Sequence, residues 1–356
     1  MSAADGKRGR RALRSRRTGG SALVALVLAL IGCTASSTPH ATLLTATRPA
    51  AAPRAVIAPY LYVDGARTPD PAAVMAHTGV RWFSLAFILS TGRCAPAWPE
   101  QSGLGGRAAD LIRRIHRAGG HVVVSMGGAQ GSKLGVHCPG PQTLAAAYQQ
   151  VIDRYQLTAV DLDVEGAEFD DARVQDKIVR ALRILGERNP GMKLSVTLPT
   201  TPDGLDRRGT RLIRRAADLG APVDAWMIMP FNFGRGDTEM GRLAIQATER
   251  THDQLRAVYP QLSDRAVYRR QGIVLMNGRT DTGEVVTPKD FRDVRVYAAQ
   301  HHLARLSFWS LNRDGACSGK ESLHTCSGVQ QRRWEFADVL EVGRHHHPPA
   351  GPSPSS

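Results

Sequence analysis

One short segment concentrates acidic chemistry: Leu157-Thr158-Ala159-Val160-Asp161-Leu162-Asp163-Val164-Glu165-Gly166. If it is a strand, the three acids share one face, because side chains alternate across a pleated backbone. Val160, Leu162 and Val164 then take the other face and pack against whatever covers it. Each two-residue step is about 6–7 Å. Three carboxylates this close in a partly desolvated place cannot all ionise cheaply, so at least one is pushed toward neutrality. Glu165 has the longest side chain and comes last, which makes it the expected proton donor to a leaving-group oxygen. The alternatives are a divalent-metal site, which would want ligands converging from several loops, and an internal hydrogen-bond network.

Spacing also narrows the mechanism. Retaining glycosidases typically hold two carboxyl groups about 5–5.5 Å apart on opposite sides of the sugar. Asp163 leaves the same strand beside Glu165 and is badly placed to attack from the far face. A 2-acetamido oxygen on the substrate can attack instead, with Asp163 orienting the acetamido N–H and steadying the positive charge that develops. On this reading the substrate sugar carries an N-acetyl group.

Such acids need a frame. Apolar, β-rich runs at 56–64, 82–89, 121–127, 157–165, 193–200, 224–233, 272–277 and 304–311 read as strands. Helical patterns fall at 104–118, 143–155, 172–188, 207–219, 239–258, 288–301 and 329–342, one of them opened by Thr287-Pro288 as cap and first-turn proline. Alternation of this kind predicts an α/β fold, a single (β/α)8 TIM barrel over 54–343. An open doubly wound sheet is the runner-up, but no Gly-rich phosphate loop follows the first strand. In a barrel, polar residues at strand C-termini are the candidates for chemistry.

The ends read differently. A basic stretch precedes the apolar run 22–31 and Leu30-Ile31-Gly32-Cys33, so 1–33 is expected to be an export signal. The apolar run is about half the ~20 residues a membrane-spanning helix needs. Leu-Ile-Gly-Cys is similar to a lipobox with Cys33 as the lipidated residue; a cleaved secretory signal and a partial twin-arginine signal at 15–17 are the alternatives. Residues 34–53 read as a linker and 344–356 as a disordered tail whose His345-His346-His347 is solvated. The formal charge of +14 falls to +8 without residues 1–33, and no Lys/Arg run interleaved with aromatics remains, so nucleic acid is not expected as a partner. Setting Cys33 aside leaves Cys94, Cys138, Cys317 and Cys326, an even set that suggests two disulfides in an oxidising compartment. None of the cysteines has metal-ligand spacing, and neither metal nor cofactor is expected.

Around these residues the sequence resembles the family 18 glycoside hydrolases, in a bacterial chitinase-like branch, over roughly 56–342. The Asp-x-Asp-x-Glu core stands as Asp161, Asp163 and Glu165, while the leading Asp-Gly of the longer signature is Thr158-Ala159. Ser125-Met126-Gly127-Gly128 matches the third-strand Ser-x-Gly-Gly motif. The resemblance implies that Trp309, on the last strand, is the floor under the sugar at the cleaved position. It also implies that the sixth strand holds the acetamido group. There Met229 fits, but Asn232 takes the expected Asp position, and Phe231 and Phe233 carry no hydroxyl. Asn lacks the negative charge, and losing a charge-assisted contact costs roughly 1.5–3 kcal/mol. Met276 and Asp281 follow the seventh strand as lesser substrate contacts. Cys94 and Cys138 fall after strands two and three, and Cys317 and Cys326 share one loop, which makes Cys94–Cys138 and Cys317–Cys326 the expected pairs.

The implied activity is endo-hydrolysis of β-1,4-linked N-acetylglucosamine polymers by an exported monomer, extracellular or held at the cell surface by a lipid anchor. A glycan-binding protein without turnover and an endo-β-N-acetylglucosaminidase acting on N-glycan cores or wall glycans are the competing readings.

Overall fold

The acidic segment is a strand, as its alternation requires, and it lies fourth in a closed barrel. The computed structural model describes residues 55–63, 68–99, 103–236, 239–319 and 322–341. The expected export signal with Cys33, the linker 34–53 and the tail 344–356 lie outside the described residues. The barrel strands are β1 (Val56–Ile57, resuming as Tyr60–Tyr62), β2 (Trp82–Ser90), β3 (His121–Gly127), β4 (Ala159–Asp163), β5 (Lys193–Pro199), β6 (Ala225–Met229), β7 (Gln271–Met276) and β8 (Arg305–Trp309). Neighbours pair in parallel in sequence order, and β1 closes the ring by pairing β8 through Val56–Ile57 and β2 through Tyr60–Tyr62. At the break in β1 the Ala58 carbonyl accepts the hydroxyls of Ser84 (3.0 Å) and Ser307 (2.7 Å), so the interruption leaves no orphaned acceptor there.

Each strand is followed by a helix: α1 (Pro71–Thr78), α2 (Gly106–Arg117), α3 (Pro141–Tyr155), α4 (Ala172–Arg188), α5 (Arg207–Asp218), α6 (Met240–Val258), α7 (Pro288–His301) and α8 (Glu335–Glu341). Val160, Leu162 and Val164 are buried with Leu182 and Leu185 of α4 in the layer between sheet and helices. Burying such side chains stabilises by roughly 1.5–3 kcal/mol each. A smaller apolar cluster of Tyr60, Ala86, Ala225, Met227, Met229 and Val274 lies apart from that layer. Among the described residues no helix is long and apolar enough to cross a membrane.

Three elements differ from the sequence reading. The pattern names no helix between the first two strands, yet α1 forms there, started by Asp70, whose side chain accepts the Ala73 amide, and by Pro71. The fourth strand ends at Asp163, so Glu165 stands on the loop just beyond it. The last helix begins at Glu335 rather than 329, because Asp314, distant in sequence, accepts the amides of Phe336 (3.2 Å) and Ala337 (2.9 Å) at its first turn.

Both expected disulfides form: Cys94–Cys138 ties the loops after β2 and β3, and Cys317–Cys326 closes the loop after β8. The first spans 44 positions and the second 9, so chain entropy favours a larger contribution from the first. Replacing Cys94 and Cys138 together by Ser is expected to cost about 2–4 kcal/mol in denaturant unfolding, and more than replacing Cys317 and Cys326. Equal midpoints for the two double variants would contradict this ordering.

Candidate active site

The site is built upward from Asp161. Its carboxylate is 1% exposed and takes four hydroxyls: Tyr60 (3.0 Å) and Ser125 (2.8 Å) donate to Oδ2, Ser195 (2.7 Å) and Thr197 (2.9 Å) to Oδ1. An ionised carboxylate offers about four such acceptor places, so all are filled. Arg305 of β8 donates to Ser195 Oγ (3.0 Å), placing a positive charge one hydroxyl away. Ser125, expected at the sugar site, is fully buried and serves this network instead.

Asp163, one step higher, is the opposite case. It is equally buried, and its Oδ1 has no hydrogen-bond partner. Burial first, then the charges of Glu165 and Asp161, hold its carboxyl well above the usual range. Beyond it, the Val164 amide donates to the Thr197 carbonyl (2.9 Å), carrying the strand direction on to Glu165. Gly166 then turns at φ +52°, a conformation that favours glycine, and its carbonyl accepts the amides of Phe169 (2.9 Å) and Asp170 (2.8 Å). Glu165 is thereby fixed between a strand end and a tight turn. Burial pushes its carboxyl up to about 7; Lys133 opposes that shift and Asp281 adds to it.

The third-strand turn lies against these acids. Gly127 pairs in register with Asp163, and the Gly128 amide donates to the Asp163 carbonyl (2.8 Å). A Cβ on Gly127 would sit 2.1 Å from that carbonyl oxygen, so only glycine allows the approach. Two charged residues here escaped the sequence reading. Lys133 is 5% exposed, and its ammonium donates to the carbonyls of Gly127 (3.2 Å), Gly128 and Gln130 (2.7 Å). Glu168, on the short helix Ala167–Asp170, accepts the Gly135 amide (2.7 Å) and is pushed up to about 7 by burial.

Aromatic residues pack at the same end. Trp309 is half-buried, with its centroid 5.4 Å from Phe87 in near-parallel stacking and 5.8 Å from both Tyr60 and Tyr62. Met229 and the half-buried Phe231 join this cluster, and Met276, also buried, pairs in register with Trp309. Phe87 could not be found by alternation. Register slips between Leu85 and Ile88, and this irregularity lets both Ala86 and Phe87 meet the inner cluster.

Asn232 lies past the end of β6, exposed, with φ +57°. Its side chain is clasped by Asp281 from the hairpin Gly278–Arg279/Val285–Val286: the Asn232 amide donates to Asp281 Oδ2 (2.9 Å), and the Asp281 backbone N–H donates to Asn232 Oδ1 (3.0 Å). The negative charge missing from position 232 is therefore carried by its partner, close enough to be felt at Glu165. Arg313 lies buried nearby, its guanidinium donating to the Arg279 carbonyl (2.6 Å); burial lowers it to about 10, against the pull of Asp281. Among the described residues no group of three His, Cys, Asp or Glu side chains could hold a metal ion. The structure thus brings Glu165, Asp163, Asp161, Gly127, Gly128, Asp281 and Asn232 around one strand end, with the Trp309 cluster packed on Tyr60 beside Asp161.

Known proteins with related chains carry the same architecture. No family model matches the sequence. The catalytic domain of a hyperthermophilic chitinase from Pyrococcus furiosus superimposes with a TM-score of 0.73 at 32% identity, covering 81% of this chain and 94% of that one. A probable bifunctional chitinase/lysozyme of Escherichia coli (strain K12) is 27% identical over 307 residues, 81% of this chain and 34% of that protein. Endochitinase 11 of Metarhizium anisopliae is 27% identical over 279 residues, 74% of this chain and 53% of that protein. The chain thus spans about a third and about a half of the length of these two curated relatives. With the barrel, the acid ladder and a solved catalytic domain matched almost end to end, the chain belongs to the chitinase-like members of glycoside hydrolase family 18.

Proposed function

We propose that this domain cleaves β-1,4-linked N-acetylglucosamine chains, chitin or chito-oligosaccharides, within the chain and with retention at the anomeric carbon. The observation that carries the reading is the unequal treatment of three acids at one strand end. Asp161 is saturated with donors, Asp163 keeps a free oxygen, and burial raises the Glu165 carboxyl to about 7. Glu165 gives its proton to the glycosidic oxygen as the bond to the anomeric carbon breaks. The substrate's acetamido oxygen forms the new bond to that carbon, and Asp163 Oδ1 accepts the acetamido N–H and steadies the cyclic cation. Water then opens the ring while Glu165 takes the proton back. Trp309 offers an apolar indole face to the pyranose, and Asn232 with Asp281 faces the sugar's polar groups. The two disulfides support an oxidising compartment, hence export, with the domain extracellular or anchored through Cys33. The absence of a hydroxyl on Phe231 and Phe233 favours one second reading, a glycan-binding barrel with little turnover.

Incubating the purified domain with N-acetylglucosamine oligomers and weighing the products by mass spectrometry tests the proposal directly. Internal cleavage products are expected; intact oligomers that nevertheless bind would favour the second reading. Glu165→Gln is expected to lower kcat by about 10³-fold or more while leaving oligomer binding within a few-fold. Turnover surviving in that variant would remove Glu165 from its role. Since the donor must be protonated, kcat/KM is expected to fall as pH rises through about 7, the value to which Glu165 is raised. A profile flat to pH 9 would contradict a donor of this kind. Chains whose sugar at the cleaved position lacks the N-acetyl group are expected to stay uncut, and efficient cleavage of a cellulose-type chain would rule out substrate assistance.

A further inference from the structure

The loop after β3 holds a charge that neither the family motif nor the mechanism above uses. The chain has six lysines among its 46 basic residues, and one of them, Lys133, is 5% exposed beside the acids. Its ammonium satisfies three carbonyls of the turn that presses on Asp163, those of Gly127, Gly128 and Gln130. A compact ammonium with three rotatable donors suits three converging carbonyls, where a planar guanidinium fork would not. Behind the turn, Glu168 accepts the Gly135 amide at 2.7 Å, and its other oxygen lies 3.3 Å from where a Gly127 Cβ would be. Lys133 is thus held in the turn that presses on Asp163, and it interacts electrostatically with Glu168, Glu165 and Asp163.

We propose that Lys133 is the positioning residue of this acid ladder: its buried ammonium braces the Gly127–Gln130 turn against Asp163 and supplies the positive charge beside which Asp163 and Glu165 work. The assignment rests on the reading of Glu165 as proton donor. The charged and titratable groups interacting with the pair, besides Lys133, are Asp161 on β4, Asp281 on the hairpin after β7, Glu168 on the short helix and the Tyr60 hydroxyl, while Lys177 on α4 and Tyr148 interact with Glu168 behind them. Among those acting on Asp163 and Glu165, Lys133 alone opposes the upward push of burial and like charge. A bare acid ladder would keep its donor protonated to higher pH and would give up a proton reluctantly. With the ammonium in place, Glu165 is poised near neutrality, where one carboxyl can serve as acid in the first step and as base in the second.

The test reads the proton itself, so it does not depend on turnover. In protein carrying carboxyl-¹³C glutamate, the Glu165 resonance, identified by its loss in Glu165→Gln, is titrated in the wild-type chain and in Lys133→Gln. The side-chain amide of Gln still donates to the turn but brings no charge. The Glu165 midpoint is expected to rise by about one pH unit, with melting temperature near the wild-type value. An unmoved midpoint in folded Lys133→Gln would overturn the proposal and leave Lys133 as a brace only. Should that variant fail to fold, reciprocity offers a second measurement, because two coupled groups shift each other equally. The Lys133 ammonium titrated in Glu165→Gln is then expected to lose its proton at lower pH than in the wild-type chain, and an identical midpoint would overturn the proposal. Failure of the wild-type chain to cut oligomers would sink the hydrolase reading without touching these midpoints.

Discussion

A carboxyl group inside a sheet is either given donors or has its ionisation made costly, and β4 shows both cases within two residues. Asp161 receives hydroxyls from β1, β3 and β5, three strands other than its own. Hydrogen bonds to a charged group contribute about 1.5–3 kcal/mol each, and leaving a charge unpaired in the interior costs several. The same four contacts therefore satisfy a buried carboxyl group and lock the register of four strands. Arg305, reaching Ser195 from β8, extends the lock across the barrel. Rotating any of these strands by one residue would turn its hydroxyl to the opposite face and strip Asp161 of a partner.

What Asp161 takes, Asp163 lacks. Its neighbour in register on β3 is Gly127, which has no side chain to donate, and its partner on β5 is Thr197, whose hydroxyl is already turned to Asp161. The free oxygen of Asp163 is thus a consequence of how the lower layer is satisfied, not an independent feature. The glycine that denies it a donor also lets the third-strand turn approach to backbone contact, which encloses Asp163 and raises the cost of its charge. One strand-to-strand contact accordingly sets both the geometry and the electrostatics of the acid above the hub.

Much of this was legible in sequence because alternation is a local signal. Asp161, Asp163 and Glu165 at every second position, with Val160, Leu162 and Val164 between them, identify a strand and its two faces without any knowledge of neighbours. The disulfide pairs followed once each cysteine was assigned to a loop at one end of the barrel. What stayed hidden depends on contacts between segments far apart in sequence. Phe87 breaks alternation through a register slip that only the pairing of β2 with β3 reveals. Lys133 looks like an ordinary loop lysine until the chain folds it under three carbonyls. The helix Pro71–Thr78 carried its cap signal in Asp70-Pro71 but is only 8 residues of weakly patterned sequence in all. Asp281 stood among the candidates only as a lesser substrate contact, because nothing local ties it to Asn232.

That pairing matters for how the site tolerates change on its sixth strand. A carboxylate on a rigid strand and a carboxylate on a hairpin differ less in charge than in how their position is fixed. Asp281 is fixed by two hydrogen bonds to Asn232, one through its own backbone and one through its side chain. Asn232 can do this because its amide both donates and accepts; an aspartate in its place would meet the Asp281 carboxylate with like charge and lose the donor. The asparagine is thus a requirement of the hairpin's acid rather than a weakened copy of a strand acid.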